Sequence, residues 1–181
     1  FKIIDLRDPI EIKKAPDNLS SNLLEKYINL PISASTLSRM ADAYHNSNYQ
    51  ENETIYEDVM KVSYQFYLEN HLEVWKKFFT LLLESNGKPI IYHCSAGKDR
   101  TGIASYLIQS LCSQKEELIF DNYLLSNKLL NHKDATAEQK YTLKRNKKMT
   151  NLMLEVIGQV KLDYLKNSIS FVKKEYGSVE N

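Results

Sequence analysis

Cysteine is scarce. The 181 residues hold two, Cys94 and Cys112, too few for a disulfide framework, and both are expected as reduced thiols. Long apolar runs are missing as well. None approaches the roughly 18–20 residues of a membrane span, which excludes a transmembrane helix. Charge of one sign is nearly balanced, with a formal net of +1, so nothing at whole-chain level points to nucleic acid. The four histidines, at positions 45, 71, 93 and 132, show no ligand spacing, and neither Cys-x-x-Cys nor His-x-x-x-His occurs. No metal and no cofactor is implied. A starting Met is absent too. The chain opens on Phe1-Lys2-Ile3-Ile4 and reads as cut at its N-terminus; a signal peptide could have been removed, so the soluble chain is read as either cytoplasmic or secreted.

What is present suits one domain over residues 1–181, long enough to bury a core. Three short apolar runs read as strands: residues 2–7, Tyr27 to Leu30 before Pro31, and residues 88–93. Between them the period is helical. Ile55, Val59, Val62 and Phe66 recur at three- and four-residue steps, and Leu72, Trp75, Phe78, Phe79 and Leu82 continue the pattern until Asn86-Gly87. A helix starts near Arg100 and carries Ile103, Leu107, Ile108 and Leu111. Ser113 and Glu116 fit a capping box that opens the next helix, and Thr136 with Gln139 fits a second. Leu162, Leu165, Ile169 and Val172 outline a last helix that Gly177 stops. Residues 36–53 are polar and read as a loop or small helical insertion. The prediction is α/β, with a short, mostly parallel sheet flanked by many helices.

The chemistry is concentrated in residues 93–102, His-Cys-Ser-Ala-Gly-Lys-Asp-Arg-Thr-Gly. Cys94 lies between a strand and a helix start, where the partly positive helix end and free backbone N–H groups favour a nucleophilic thiolate. Small Ser95, Ala96 and Gly97 let the loop curl its N–H groups around phosphate oxygens. Arg100 falls in the first helical turn, and its planar fork suits a bidentate grip on two of those oxygens. Thr101 can donate a hydrogen bond to the Cys94 sulfur, while His93 is expected to hold the loop through backbone contacts. Together these residues point to hydrolysis of phosphomonoesters through a phosphocysteine. Cys112, at the far end of the apolar helix, is expected in the core.

The segment His93-Cys94-Ser95-Ala96-Gly97-Lys98-Asp99-Arg100-Thr101-Gly102 resembles the signature of cysteine-dependent protein-tyrosine phosphatases. More narrowly, it is similar to the bacterial family whose loop reads H-C-x-A-G-K-D-R-T-G. Ile4-Asp5-Leu6-Arg7 with Glu11, Leu30-Pro31, Asp121 to Asn127 and Tyr176-Gly177-Ser178 extend the resemblance over nearly the whole chain. An Asn-Phe-Arg-Asp-like stretch and a Gly-rich turn, usual further N-terminal in that family, do not occur. The resemblance implies a cysteine-phosphatase-like fold, activity on phosphotyrosine proteins or peptides and also on phosphoinositides, and phosphate or other oxyanions bound in the loop. An inositol-polyphosphate phosphatase and a non-catalytic phosphate-recognition module remain the alternatives.

A general acid must protonate the leaving oxygen. There is no Trp-Pro-Asp segment. Asp99, inside the loop where the bacterial family also has Asp, is the first candidate, and Asp5 at a strand end is its rival. Asp5 could equally fix its own loop, with Arg7 pairing a carboxylate such as Glu11. Lys98 adds a second cation, either for further phosphates on the substrate or as a solvated loop lysine. Residues 128–148 carry seven Lys or Arg against Asp134 and Glu138, net +5. Members of the resembled family carry a helical lid in this part of the chain, so the resemblance implies a lid over 128–158 that helps attract acidic substrates; the alternative is a solvated basic face.

Overall fold

A computed structural model of the protein describes residues 1–34, 52–130 and 150–179. Strands β1 (Lys2–Asp5), β2 (Tyr27–Asn29) and β3 (Ile90–His93) form a parallel sheet in the order β2-β1-β3. Ile4 stands opposite both Ile28 and Tyr92. β1 is the central strand, and its apolar run is buried, as a parallel strand covered on both faces requires. The helices described are α1 (Pro9–Lys14), α2 (Ser21–Leu24), α3 (Glu53–Glu69), α4 (Leu72–Glu84), α5 (Arg100–Leu111), α6 (Glu116–Leu129), α7 (Asn151–Gly158) and α8 (Leu162–Tyr176). The α/β expectation and the excess of helix over strand both hold.

The core lies between the sheet and helices α3, α4, α5 and α8, with Ile4, Leu6, Tyr64, Phe78, Ile103, Tyr164 and Leu165 all without solvent exposure. Phe78 anchors α4 to the sheet. Its ring meets Trp75, Phe79 and Tyr92 edge-on at centroid distances of 5.8, 5.4 and 5.5 Å. The apolar period over 55–82 divides at Asn70-His71 into two helices, α3 and α4. Val62 is exposed, because the buried face of α3 is set by Tyr56, Tyr64 and Tyr67 alongside Val59 and Met60. A period drawn through aliphatic residues alone misplaces that face. Gly177 stops α8 at φ +80°, and Asn86 and Gly87 turn the chain after α4 at φ +48° and +78°.

Two sequence expectations need correction. Ser113 does not cap α6: it takes φ +56° in the turn that ends α5, and its N–H bonds back to Ser110. Lys115 occupies the N-cap instead, with no side-chain cap bond. The capping box that does form joins Asp8 and Glu11 at the start of α1. Cys112 is exposed, since it follows the last residue of α5 while the buried face of that helix runs through Ile103, Ala104 and Leu107. The Thr136 box, most of the polar stretch 36–53 and the centre of the expected lid lie outside the described residues.

Candidate active site

All three strands run the same way, so the segments that follow them collect at one edge of the sheet. β3 delivers buried Cys94, the chain curls through Gly97 at φ +70°, and α5 begins at Arg100. Among the described residues, no protein group accepts from the backbone N–H groups of Ser95 to Asp99. They are available to an anion. The Thr101 hydroxyl donates to Cys94 Sγ at 3.3 Å, as expected from its place in the sequence. His93 Nδ1 lies 3.2 Å from the Cys94 carbonyl, and its own carbonyl accepts from Leu6 N–H.

Arg100 is fixed end-on. Nη1 and Nη2 donate to the two oxygens of Glu11, each at 2.6 Å, and Nη1 also donates to the Ile32 carbonyl at 2.9 Å. The Ser95 hydroxyl donates to Glu11 Oε1, so one carboxylate ties the arginine to the phosphate loop. Among the described residues Nε of Arg100 has no partner, and Nη2 has only a 3.5 Å contact with Ser95 on that side. The side-on edge of the guanidinium is therefore open, with the geometry a planar oxyanion-binding fork needs. Burial pushes the Glu11 carboxyl up, but the bonds and charge of Arg100 outweigh it and hold the group below its ordinary range. Burial also opposes charge on Arg100, and Glu11 together with the field of Cys94 keeps it charged.

The expected Arg7–Glu11 pair does not form. Arg7 binds Asp5 through Nε and Nη2, at 3.0 and 2.7 Å to Oδ2, and reaches Asp17 at 2.6 Å and the Ala15 carbonyl at 2.8 Å. Fully buried Asp5 also accepts from Tyr27 at 2.6 Å and from the Arg7 N–H at 2.9 Å. Burial raises its carboxyl, yet these bonds bring it below its usual value. Asp5 therefore has the loop-fixing contacts expected of its alternative role. Asp5, Asp17 and His93 bring ligand atoms within 4.8 Å of one another, but the Arg7 guanidinium bonds both carboxylates and occupies that cluster as its cation.

Asp99 sits at the N-cap of α5 without capping it, which leaves its carboxylate for other partners. Lys98 Nζ is 2.8 Å from both oxygens, and the Tyr64 hydroxyl donates to Oδ1 at 2.7 Å. Lys98 is buried in this pair and is not a solvated loop lysine. A groove of about 100 Å³ lies beside the loop, lined among others by Gly97, Thr101, Ser105, Gln109 and Tyr123. A larger depression of about 280 Å³, around Lys2, Lys26, Glu84 and Lys88, lies at the opposite ends of the strands, away from Cys94 and Arg100.

The sequence model of the tyrosine phosphatase family matches residues 1–181. The chain belongs to that family. A Cupriavidus necator protein that carries the name of a tyrosine-protein phosphatase is 30% identical over 95 residues, covering 52% of this chain and 34% of its own length. A Nostoc commune protein named tyrosine-protein phosphatase is 28% identical over 123 residues, 68% of this chain and 39% of its own. The aligned parts thus span between a third and two fifths of these curated relatives.

In this family member, Cys94, Thr101, Arg100 and the loop between them come together as the motif implies. Sequence proximity gives Glu11 the wrong arginine, and nothing in the motif points to Tyr64 or Tyr123. The Asp8–Glu11 box is readable in the sequence, but nothing local indicates a partner 89 residues away.

Proposed function

We propose that this chain hydrolyses phosphotyrosine in proteins or peptides through a phosphocysteine intermediate, with no metal ion. The observation that carries the reading is Arg100, saturated by Glu11 at one end while its side-on edge stays open in the loop that holds Cys94. The phosphoryl group enters the nest of N–H groups with its oxygens on that edge, which counters charge better as the transition state develops. Cys94 thiolate forms the S–P bond as the P–O bond to the phenol breaks, and Asp99 gives the departing oxygen a proton. Water then attacks phosphorus, Asp99 takes a proton from it, and the S–P bond breaks. Thr101 supports the returning thiolate through its hydroxyl.

Phosphoinositides are a second substrate class, favoured by one observation: Lys98 places a second cation in the loop. Its ammonium must first leave Asp99 to meet a further phosphate. A comparison of phosphotyrosine peptide, phosphoserine peptide, phosphoinositide and inositol hexakisphosphate tests both readings. Preference for the phosphotyrosine peptide supports the first. Preference for inositol hexakisphosphate overturns it in favour of an inositol-polyphosphate phosphatase, and no turnover on any of them leaves a phosphate-recognition module.

A further inference from the structure

Tyr64 and Tyr123 lie outside the phosphate loop, on α3 and α6, yet both hydroxyls reach toward it. Tyr64 Oη is 2.7 Å from Asp99 Oδ1 and 2.7 Å from Tyr123 Oη. A phenol has one hydrogen to donate. Tyr64 gives its hydrogen to Asp99, so Tyr123 must donate to Tyr64, and the chain runs in one direction from α6 through α3 to the loop. We propose that Tyr64, itself held by Tyr123, is the positioning residue for Asp99, a proposal that rests on Asp99 being the general acid.

The consequence is a choice between two oxygens. Oδ1 receives hydrogens from Tyr64 and Lys98 while Oδ2 receives one from Lys98 alone, so Oδ2 is the oxygen that takes the proton of the acid form once the Lys98 ammonium turns from it. The oxygen that gives a proton to the leaving group is then set by α3 and α6 together, rather than by free rotation of an exposed side chain. The charged group that faces Asp99 is the Lys98 ammonium of its own segment, and the Asp99 charge in turn acts on the neutral phenols of Tyr64 and Tyr67 from α3, Tyr123 from α6 and Tyr164 from α8. Burial, then the charge of Asp99, pushes the Tyr64 and Tyr123 phenols far above their ordinary range. Both remain donors throughout the pH range in which an acid of this kind works.

Packing alone does not account for the two hydroxyls. A buried hydroxyl without a partner costs roughly 1–3 kcal/mol, and phenylalanine would fill the same volume with no such cost. The loop also leaves space for this arrangement. A Cβ on Gly102 would stand 2.9 Å from Cε2 of Tyr123, so the glycine of the loop segment is what lets the Tyr123 ring approach α5.

The test uses Tyr64→Phe and Tyr123→Phe, with Asp99→Asn alongside. kcat/KM is measured for phenyl phosphate, a poor leaving group, and for a dinitrophenyl phosphate, which departs without a proton. Tyr64→Phe is expected to lose about tenfold on the poor leaving group and less than about threefold on the good one. Tyr123→Phe should act in the same direction, more weakly, and vanadate affinity should report an intact loop in both. Equal losses on the two substrates would overturn the positioning role. If Asp99→Asn discriminates between the substrates and Tyr64→Phe does not, the positioning proposal alone falls. If Asp99→Asn does not discriminate, the acid assignment fails and the proposal goes with it.

Discussion

Glu11 grips the Arg100 guanidinium with two hydrogen bonds of 2.6 Å, so a residue of the short helix after β1 orients the proposed phosphate clamp at the start of α5. The two sides of the arginine differ in role. The Nη1–Nη2 end is bonded to Glu11, and the Nε edge, without a partner among the described residues, is the one proposed for the anion. Glu11→Gln keeps the shape but weakens the hold. We predict a loss of roughly 10- to 100-fold in kcat/KM on every phosphomonoester, with phosphate and vanadate bound more weakly. A variant that keeps its oxyanion affinity would show that Arg100 is oriented without Glu11.

The acid limb of stability should follow from the same contacts. Glu11 and Asp5 are both held below their ordinary values of 4.5 and 3.8. A carboxyl whose folded value is depressed contributes stability that is fully present above the unfolded value and lost as pH falls through the folded one. Urea midpoints should therefore be level down to about pH 5 and decline below about pH 4. Glu11→Gln should be less stable at neutral pH and show a shallower decline in acid. A parallel decline in both proteins would show that Glu11 does not set the acid limb.

Thr101→Val keeps the branching of the side chain and removes the hydroxyl that donates to Cys94 Sγ. In the proposed pathway the bond supports the thiolate as a leaving group, so hydrolysis of the intermediate should slow about tenfold while its formation slows less. Stopped-flow kinetics should show a larger burst of phenol followed by slower turnover. Loss of the burst itself would place the hydroxyl in the first step instead.

Two glycines of the loop should fail for different reasons. Gly97 has φ +70° and open space around its Cβ position, so Gly97→Ala meets only backbone strain, about 1–2 kcal/mol. Gly102 is helical, and its added Cβ would meet the Tyr123 ring at 2.9 Å. Gly102→Ala should cost about 1–3 kcal/mol from overpacking and should impair phenyl phosphate hydrolysis more than dinitrophenyl phosphate hydrolysis, because Tyr123 is displaced. Thermal unfolding combined with both assays checks this. Gly97→Ala should instead weaken vanadate binding, and the reverse pattern would contradict the assignment.

The strands and the loop are legible in the sequence because each is a local pattern. Ile3-Ile4 and Ile90-Ile91 announce strands, although only the first pair is buried, and the residues from Cys94 to Thr101 need only a strand before them and a helix after. Contacts across the fold are not legible. Glu11 stands four residues from Arg7, and sequence proximity favours that pair, whereas Arg7 is taken up by Asp5 and Asp17. Tyr64 and Tyr123 sit on buried helix faces, where an aromatic reads as core; their hydroxyl partners depend on how three helices meet. Cys112 shows the same limit from the other side. An apolar period continues to the end of a helix in sequence even where the core has already stopped.

A covalent phosphoenzyme decides the mechanism. Wild type mixed with a ³²P-labelled phosphotyrosine peptide, quenched in acid within one turnover and digested, should give a labelled peptide containing Cys94. Cys94→Ser should give no label and no turnover while still binding vanadate. Turnover with no trapped phosphate on Cys94, or with label on another residue, would contradict a phosphocysteine pathway and the roles assigned around it.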